Sequence, residues 1–534
     1  IPPGHTAFSW FGGNPKPPHG HTQFSWMGGV APSAAAATAA GGGAAGAAAG
    51  GSLVPTPSGF LGRTIIAEAL AAEVALVGQS VTLCGWARTV RVGGNKETPI
   101  AFIELNDGSC FGNIQIVAAK EDSPAAFAVA NDHSVTGTCF LVKGEVVESP
   151  AKGQKIEVKA SEVVCLGTCP GDTYPLAKGR HPLEHLRNIS HIRPRSNTIG
   201  AMFRIRNAVA AGVHNFFQSK GFLYLHAPLI TSSDCEGAGE MFSVSTLMNE
   251  DPKKIPTLPN GKVDFAQDFF AAPTFLTVSG QLEAEAYACA LSKIYTFGPT
   301  FRAENSHTPR HLAEFWMIEP EIAFADLSDV MDLAEGFLKG VCSWVLEHCA
   351  ADLEFMEKMY LKGLTQRLRD VVEQKFTRMP YTEAMEHLTA VKGRKWDFQP
   401  KWGEDLATEH EKYLTEELIK GPVFVTDWPK DIKSFYMRVN DDGKTVAAVD
   451  CLLPKVGEII GGSQREERLD VLLERMKVMN VGEEHLRWYT DLRRYGTCPH
   501  AGFGLGFERL VMFCTGLENI RDVIPFPRYP GHCV

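Results

Sequence analysis

Over its first 60 residues the 534-residue chain has no aspartate or glutamate, and Glu68 is the first carboxylate. Lys16 is the single lysine or arginine of that stretch, which is rich in Pro, Gly and Ala. So little apolar surface cannot offset the entropy of ordering, so residues 1–62 are expected to be a disordered tail. The tail carries a duplication, GHTAFSWFGG (4–13) and GHTQFSWMGG (20–29), too short for a repeat fold. Its paired Phe and Trp are read either as a docking motif for an unknown partner or as a neutral duplication. Lack of acids is one mark of an organelle transit peptide, but the Arg and Ser richness of such peptides is missing. The chain does not begin with Met, so its true start is expected to be missing or cleaved.

Other absences exclude whole classes. No run of ~18 apolar residues occurs, so no membrane-spanning helix is expected. The 13 cysteines are scattered singly, and the closest pair, Cys165 and Cys169, has no second pair at zinc spacing. Neither a disulfide framework nor a structural metal is expected, and the thiols read as reduced and intracellular. A net charge of −10 argues against indiscriminate nucleic-acid binding while leaving room for a local basic surface. No GK[ST] ending marks a P-loop, and no strand-turn-helix unit surrounds the glycines of GFGLGFERL.

What is present divides into three parts. From 63 to 169 the segments SVTLCGWARTV, TPIAFIELND, GNIQIVAA, TCFLVKGEVVES and QKIEVKASEVVCL alternate and are rich in β-branched residues. With the helical SPAAFAVAND before the fourth strand, they predict an all-β Greek-key barrel of the OB type. Trp86, Arg88, Arg91, Phe102 and Gln115 are its candidates for single-stranded nucleic acid, the alternative being that Trp86 and Phe102 are core. Residues 170–200 form a linker holding Lys178, Arg180, Arg187, Arg193 and Arg195, a plausible phosphate contact. From 201 to 534 strands read at FLYLHAPLI, FLTVSG, IYTFGPTFRAE, EFWMIEPEIAF, PVFVTDWP and SFYMRVN. Helices read at 199–221, 327–350, 352–375 and 464–480. Their mixed order predicts an α+β domain with an antiparallel sheet.

Three stretches carry chemistry. FRAENSHTPRHLAEFW (301–316) joins two strands, and alternation would put Arg302 and Glu304 on one face, with Phe315 available to stack on a base. In 447–470, Asp450 and Glu458 are hard oxygen donors suited to Mg2+ shared with a polyphosphate, near Gly461 and Gly462. In GFGLGFERLVMF (502–513), glycines permit close approach and Arg509 opens a helix, a position that calls for an anionic partner. Two arginines, two carboxylates, two glycine-rich turns and no Ser–His or thiol nucleophile point to nucleotidyl transfer by in-line displacement.

The run FRAE…HLAEFW, then GGSQRE, then GLGFERL resembles motifs 2 and 3 of class II aminoacyl-tRNA synthetases, and an N-terminal OB barrel marks their aspartate/asparagine/lysine subgroup. CEGAGEMF (235–242), SGQLEAE (279–285), KIYTFGPTFRAENSHTPRHLAEFWMIEPE (293–321), GGSQREERLD (461–470) and RDVIPFPRYP (521–530) are similar to the bacterial-type asparaginyl family. The resemblance covers about 64–534. It implies an ATP-dependent, Mg2+-requiring homodimer that joins asparagine to tRNA(Asn) through Asn-AMP. By it, Arg302 binds the α-phosphate and the amino-acid carboxylate, Glu304 and Phe315 the adenine, and Arg509 the γ-phosphate, with His307 and Arg310 near the pyrophosphate. Asp450 and Glu458 would hold the metal. Glu236, Ser279 and Gln281 would surround the α-amino group, Arg91, Phe102 and Gln115 would read anticodon bases, and Pro228 marks the dimer interface.

Specificity turns on one exchange, NH2 for O−. Aspartyl enzymes place a Lys where this chain has Ala284, flanked by Glu283 and Glu285. Arg465 is expected to donate to a carboxamide oxygen and Glu285 to accept from its NH2 while repelling aspartate; the alternative is that Glu283 and Glu285 face solvent. The competing readings are an aspartyl enzyme, an ammonia-dependent asparagine synthetase, which would lack the barrel, and an inactive paralogue serving as an RNA-binding scaffold. A bacterial-type body behind such a tail leans to a mitochondrion and/or plastid, otherwise the cytoplasm.

Overall fold

The computed structural model describes residues 62–151, 153–232 and 241–533. The readings of the tail, its FSW repeats and Glu236 fall outside the described residues. After a short helix α1 (Ile66–Ala72), strands β1 (Ser80–Gly94), β2 (Pro99–Asn106), β3 (Ile114–Ala119), β4 (Cys139–Glu148) and β5 (Ile156–Gly167) close into a barrel in the order β1-β2-β3-β5-β4. Helix α2 (Pro124–Asp132) lies between β3 and β4 and buries Ala126 and Ala130 into the same core as Ile103, Leu105, Ile116 and Val142. Period-two alternation explains which side chains go in: Ala101, Ile103 and Leu105 are buried, while Phe102 and Glu104 point outward. This is the OB barrel expected from the strand pattern.

Two cations of the basic linker have structural partners. Short helix α3 (Leu183–Arg187) ends in Arg187, which donates to both oxygens of the buried Asp522 at 2.8 and 2.6 Å. Arg193 is fully buried, and its Nη2 donates to the carbonyls of Arg521, Ile524 and Pro525. Two of the linker's cations therefore fasten the hinge to the C-terminal segment and are not free for phosphates.

Ser196 caps α4 (Asn197–Ser219) by accepting from the Ile199 amide, so the large domain starts a few residues earlier than 201. Beyond α4 come β6 (Leu223–Tyr224), β7 (Ile230–Thr231), β8 (Phe275–Leu276), α5 (Gln281–Leu291), β9 (Lys293–Phe301), β10 (Glu314–Ala323), α6 (Leu327–His348), α7 (Ala350–Met359) and α8 (Leu364–Glu373). Then follow β11 (Thr377–Pro380), α9 (Tyr381–Thr389), α10 (Thr408–Lys412), β12 (Val423–Pro429), β13 (Thr445–Leu453), β14 (Gly457–Gln464), α11 (Leu469–Val478), α12 (Arg487–Arg494), β15 (His500–Gly506) and α13 (Phe507–Thr515). Eight strands form one sheet, β11-β12-β13-β14-β15-β10-β9-β6, antiparallel except at its two ends, where β11/β12 and β6/β9 run parallel. Phe297, Ile318, Ile460, Phe503 and Leu505 share one buried cluster with α4 and α6, so the helices cover one face and leave the other open. No helix among the described residues is long and apolar enough to cross a membrane.

Several expected elements differ. The two glycine-rich stretches are not turns but β14 and β15, at the centre of the sheet. SFYMRVN forms no strand; it makes only isolated bridges at Met437 and Val439, because Phe435 and Tyr436 are buried against Tyr489 and Leu472 instead of facing a ladder. The helix expected over 352–375 is two helices, broken where Gly363 takes φ 83°. FLYLHAPLI yields only the two-residue strands β6 and β7.

Candidate active site

Register places the candidates Phe315 and Asp450 on the open face, in a continuous set of paired positions. Thr296 pairs with Glu319, Gly298 with Met317 and Thr300 with Phe315; Glu321 pairs with Gly502, Gly502 with Ser463, Gly504 with Gly461, and Gly461 with Asp450. Directly paired residues share a face, so these positions form one continuous floor. The glycines keep it flat. A Cβ on Gly502 would lie 2.3 Å from the Glu321 carboxyl, one on Gly504 2.9 Å from Met317 Cε, and one on Gly461 3.0 Å from Glu458 Oε1.

At one end of the floor the cations and hard donors gather. Arg302 extends the β9–β10 ladder by one bond, its amide donating to Ala313, and its guanidinium lies 5.6 Å from the Phe315 ring centre. The strand stops at Phe301, so Glu304 sits in the 302–313 loop and not on the strand face expected for it; Glu304 and His307 are exposed and Arg310 is half-buried. Arg509, in the first turn of α13, donates to the Glu458 carbonyl at 3.1 Å and lies 3.6 Å from its carboxylate. That supplies the anionic partner its helix position called for. Lys433 Nζ, 3.9 Å from the Trp428 ring centre, donates to Asp450 at 2.8 Å. Burial pushes Asp450 up to about 6, with Glu458 adding to the rise against the pull of Lys433. Burial, with Glu458 next, pushes Glu411 up to about 7. Three crowded carboxylates offer oxygen donors that a divalent cation would satisfy, so the set fits Mg2+.

The other end is a network of buried charges. Glu319 accepts from the Ser279 hydroxyl, from the Gly280 amide at 3.0 Å and from Thr296 Oγ1 at 2.8 Å, which fixes the corner before α5. The Gln281 amide donates to Ser279 Oγ at 3.2 Å, and its side chain donates to Glu285 at 3.0 Å. Glu285 is fully buried and also accepts from Tyr489 at 2.8 Å and from Arg493 and His500 at 2.9 Å each. Burial alone would raise its carboxyl, but Arg493, His500 and Arg465 outweigh it and hold Glu285 well below the usual carboxylate range. Arg465 grips Glu321 through two nitrogens and donates to Ser463 Oγ at 2.9 Å.

The alternative that Glu283 and Glu285 face solvent does not hold: Glu285 is fully buried and Glu283 half-buried, where burial raises its carboxyl, with Glu319 and Glu285 adding to the rise. Ala284 is buried with Ala288 and Ile294, against Leu225, on a different side of α5 from the Glu285 carboxylate. The Glu285 carboxylate thus has four donors, of which Gln281 alone is only half-buried.

Sequence reasoning gave no role to Glu319, Glu321, Lys433, Glu411, Tyr489, Arg493 or His500. The EPE of residues 319–321 carried a signal, two carboxylates on one face of a buried strand. The others come from remote segments whose approach no local pattern announces. On the barrel, Arg91 pairs with Phe102 and Glu104 with Gln115, so Arg91, Phe102 and Gln115 share the outer wall. Phe102 is half-buried outside the barrel core and Trp86 is 39% exposed, so neither is core filler.

The class II tRNA synthetase (D, K and N) family model matches residues 183–530, and the OB-fold nucleic acid binding domain model matches residues 81–166. The chain is 56% identical over 475 residues to the asparagine–tRNA ligase of Geotalea uraniireducens, covering 88% of this chain and 99% of that one. To the asparagine–tRNA ligase of Geobacter metallireducens it is 57% identical over 470 residues, again covering 88% and 99%. The crystal structure of Pyrococcus horikoshii asparaginyl-tRNA synthetase complexed with asparaginyl-adenylate superposes with a TM-score of 0.76 at 30% identity, over 89% of this chain and 100% of that one. The chain belongs to the asparagine–tRNA ligase family, within the class II tRNA synthetases.

Proposed function

We propose that the open sheet face activates asparagine with ATP and passes it to tRNA(Asn). The observation that carries this reading is one floor of paired strands, with Asp450, Glu458 and the Arg509 that donates to Glu458 on one side, and the linked Ser279, Gln281, Glu285 and Arg465 on the other. The asparagine carboxylate oxygen attacks the α-phosphorus, the bond to the bridging oxygen breaks, and pyrophosphate leaves. A 3′-terminal tRNA hydroxyl then attacks the acyl carbon and AMP leaves. Arg302 clamps the α-phosphate, Phe315 and Glu304 take the adenine, Arg509 the γ-phosphate, and His307 and Arg310 attend the pyrophosphate. Asp450 and Glu458 would hold Mg2+, which when bound offsets the polyphosphate charge.

Selectivity follows from Glu285, held ionised, and Glu321 beside Arg465. A carboxamide donates to Glu285 where Gln281 donated and accepts from Arg465, whereas an aspartate side chain brings a third carboxylate into a dry pocket. Like-charge burial of that kind costs several kcal/mol, and ~3–4 kcal/mol is a few hundredfold. Arg91, Phe102 and Gln115 on the barrel wall read the anticodon. A second copy of the chain covers the apolar edge around Pro228, where Leu223 and Ile230 are 51% and 44% exposed. The acid-free tail supports an organellar location, with its FSW pair a docking motif.

ATP–pyrophosphate exchange with asparagine, aspartate or lysine tests the reading. Exchange with asparagine alone is expected. Exchange with aspartate overturns the Glu285 account, and no exchange from folded protein favours an inactive paralogue.

A further inference from the structure

Helix α5 carries Gln281, Glu285 and Cys289 at four-residue spacing, so all three lie along one stripe. Facing the end of that stripe is the turn between α12 and β15, which brings Cys498 two residues before His500. The two sulfurs and a ring nitrogen of His500 lie within 4.8 Å of one another. Both thiols are half-buried, and Ala290, Thr497 and Pro499 beside them are exposed, so a small solute reaches the pair from solvent.

Three features decide what the cluster does. It is a poor metal site: His500 has both ring nitrogens engaged, Nδ1 with the Cys498 carbonyl at 2.9 Å and Nε2 with Glu285 at 2.9 Å, and the Arg493 cation lies against it. Arg493 Nη1 is buried with no hydrogen-bond partner among the described residues, an N–H suited to a thiolate or an oxidised sulfur oxygen. Burial, with Cys498 and Glu285 next, pushes the Cys289 thiol up to about 12 against the pull of Arg493, so Cys289 stays protonated at rest. Cys498 is then the sulfur a peroxide meets first. A second adjacent pair, Cys342 and Cys514, is fully buried and out of reach.

We propose that Cys289 and Cys498 are a redox-sensitive dithiol that a peroxide closes to a disulfide, altering the asparagine end of the site. A peroxide O–O bond breaks as Cys498 becomes a sulfenic acid and one water leaves. Cys289 sulfur then attacks Cys498 sulfur, an S–S bond forms, the sulfenic oxygen leaves as a second water with the Cys289 proton, and the dithiol has given up two electrons. Bonded sulfurs sit about 2 Å apart. Closure therefore draws the end of α5 toward the 495–499 turn and shifts Glu285 against Tyr489, Arg493 and His500. The nucleotide end, on β13, β14 and α13, is not on that path.

The kinetic part of this inference rests on asparagine binding at Glu285; the chemical part does not. The full-length protein is treated with hydrogen peroxide, blocked with N-ethylmaleimide, digested and read by mass spectrometry, beside exchange kinetics before and after dithiothreitol. The expected result is a linked Cys289–Cys498 peptide, an asparagine KM raised about fivefold or more with the ATP KM within about twofold, and reversal by dithiothreitol. Cys498→Val is expected to keep the reduced-state kinetics and lose the response. Absence of the linked peptide while exposed Cys533 is oxidised overturns the proposal. So does a linked peptide with unchanged asparagine KM, or a Cys498→Val protein that responds like the original. Exchange with asparagine by the untreated protein checks the underlying reading separately.

Discussion

Glu285, proposed above to select the substrate amide, also holds a buried network of charges together. Its carboxylate meets Arg493 and His500 at 2.9 Å inside a region with no solvent, and Arg465 lies 3.8 Å away. Glu285→Gln keeps the volume and removes the charge, leaving buried cations without compensation, a loss of about 3–5 kcal/mol. Thermal unfolding at pH 7 is expected to show a lower midpoint for the variant, and exchange kinetics a raised asparagine KM. The pH dependence has a definite sign. The folded-state value lies below the unfolded one, near 4.5, so the ionised form's contribution is fully present above that value and is lost as pH falls through the folded one. The gap between the two proteins should narrow below about pH 4.5. A gap that stays the same at about pH 3.5 would mean that the carboxylate charge is not what the network needs.

At the scale of elements, strand alternation made the barrel legible: β1 to β5 fall where β-branched residues alternate. It also exposed the 293–323 hairpin. The centre of the sheet was not legible, because glycines in β14 and β15 carry the sequence signature of turns. What they answer to is a partner strand and a ligand surface, neither of which is local. Nor was the pocket around Glu285, since Tyr489, Arg493 and His500 approach α5 from about two hundred residues away. Asp450 and Glu458 could be singled out because each is a lone acid in an apolar or glycine-rich stretch, and Arg302 because it opens a polar run between two apolar strands. Two glycines separate floor from frame. A Cβ at Gly504 meets only the flexible Met317 Cε at 2.9 Å, so Gly504→Ala should fold and raise the ATP KM about tenfold while sparing asparagine. At Gly502 it meets the Glu321 carboxyl at 2.3 Å and the Pro320 carbonyl at 2.4 Å, and Gly502→Ala should fail to give soluble protein. Equal behaviour of the two would refute the distinction between ligand surface and internal packing.

Across the whole molecule the barrel wall and the sheet face are separate surfaces joined by a hinge in which Arg187 and Arg193 are already committed, while Lys178 and Arg180 are exposed. Phe102→Ala removes a stacking ring from the outer wall and nothing from the core, so the tRNA KM should rise about tenfold or more while tRNA-independent exchange is unchanged. The hinge predicts the opposite pattern. Arg193 is fully buried and fastens three carbonyls of the 521–525 segment, and Arg187 is locked onto Asp522. Arg193→Met leaves those carbonyls without donors, at about 1–3 kcal/mol for each buried group left unsatisfied. Its effect should therefore be a lower thermal midpoint, with tRNA affinity of the folded protein and its dependence on salt unchanged. An arginine that touched phosphate would instead flatten the salt dependence of tRNA binding by roughly one counterion. Measuring tRNA affinity across a salt series for Arg193→Met, beside its thermal midpoint, separates a fastener from a nucleic-acid contact. A flattened slope at full stability would return the hinge to the role its composition suggested.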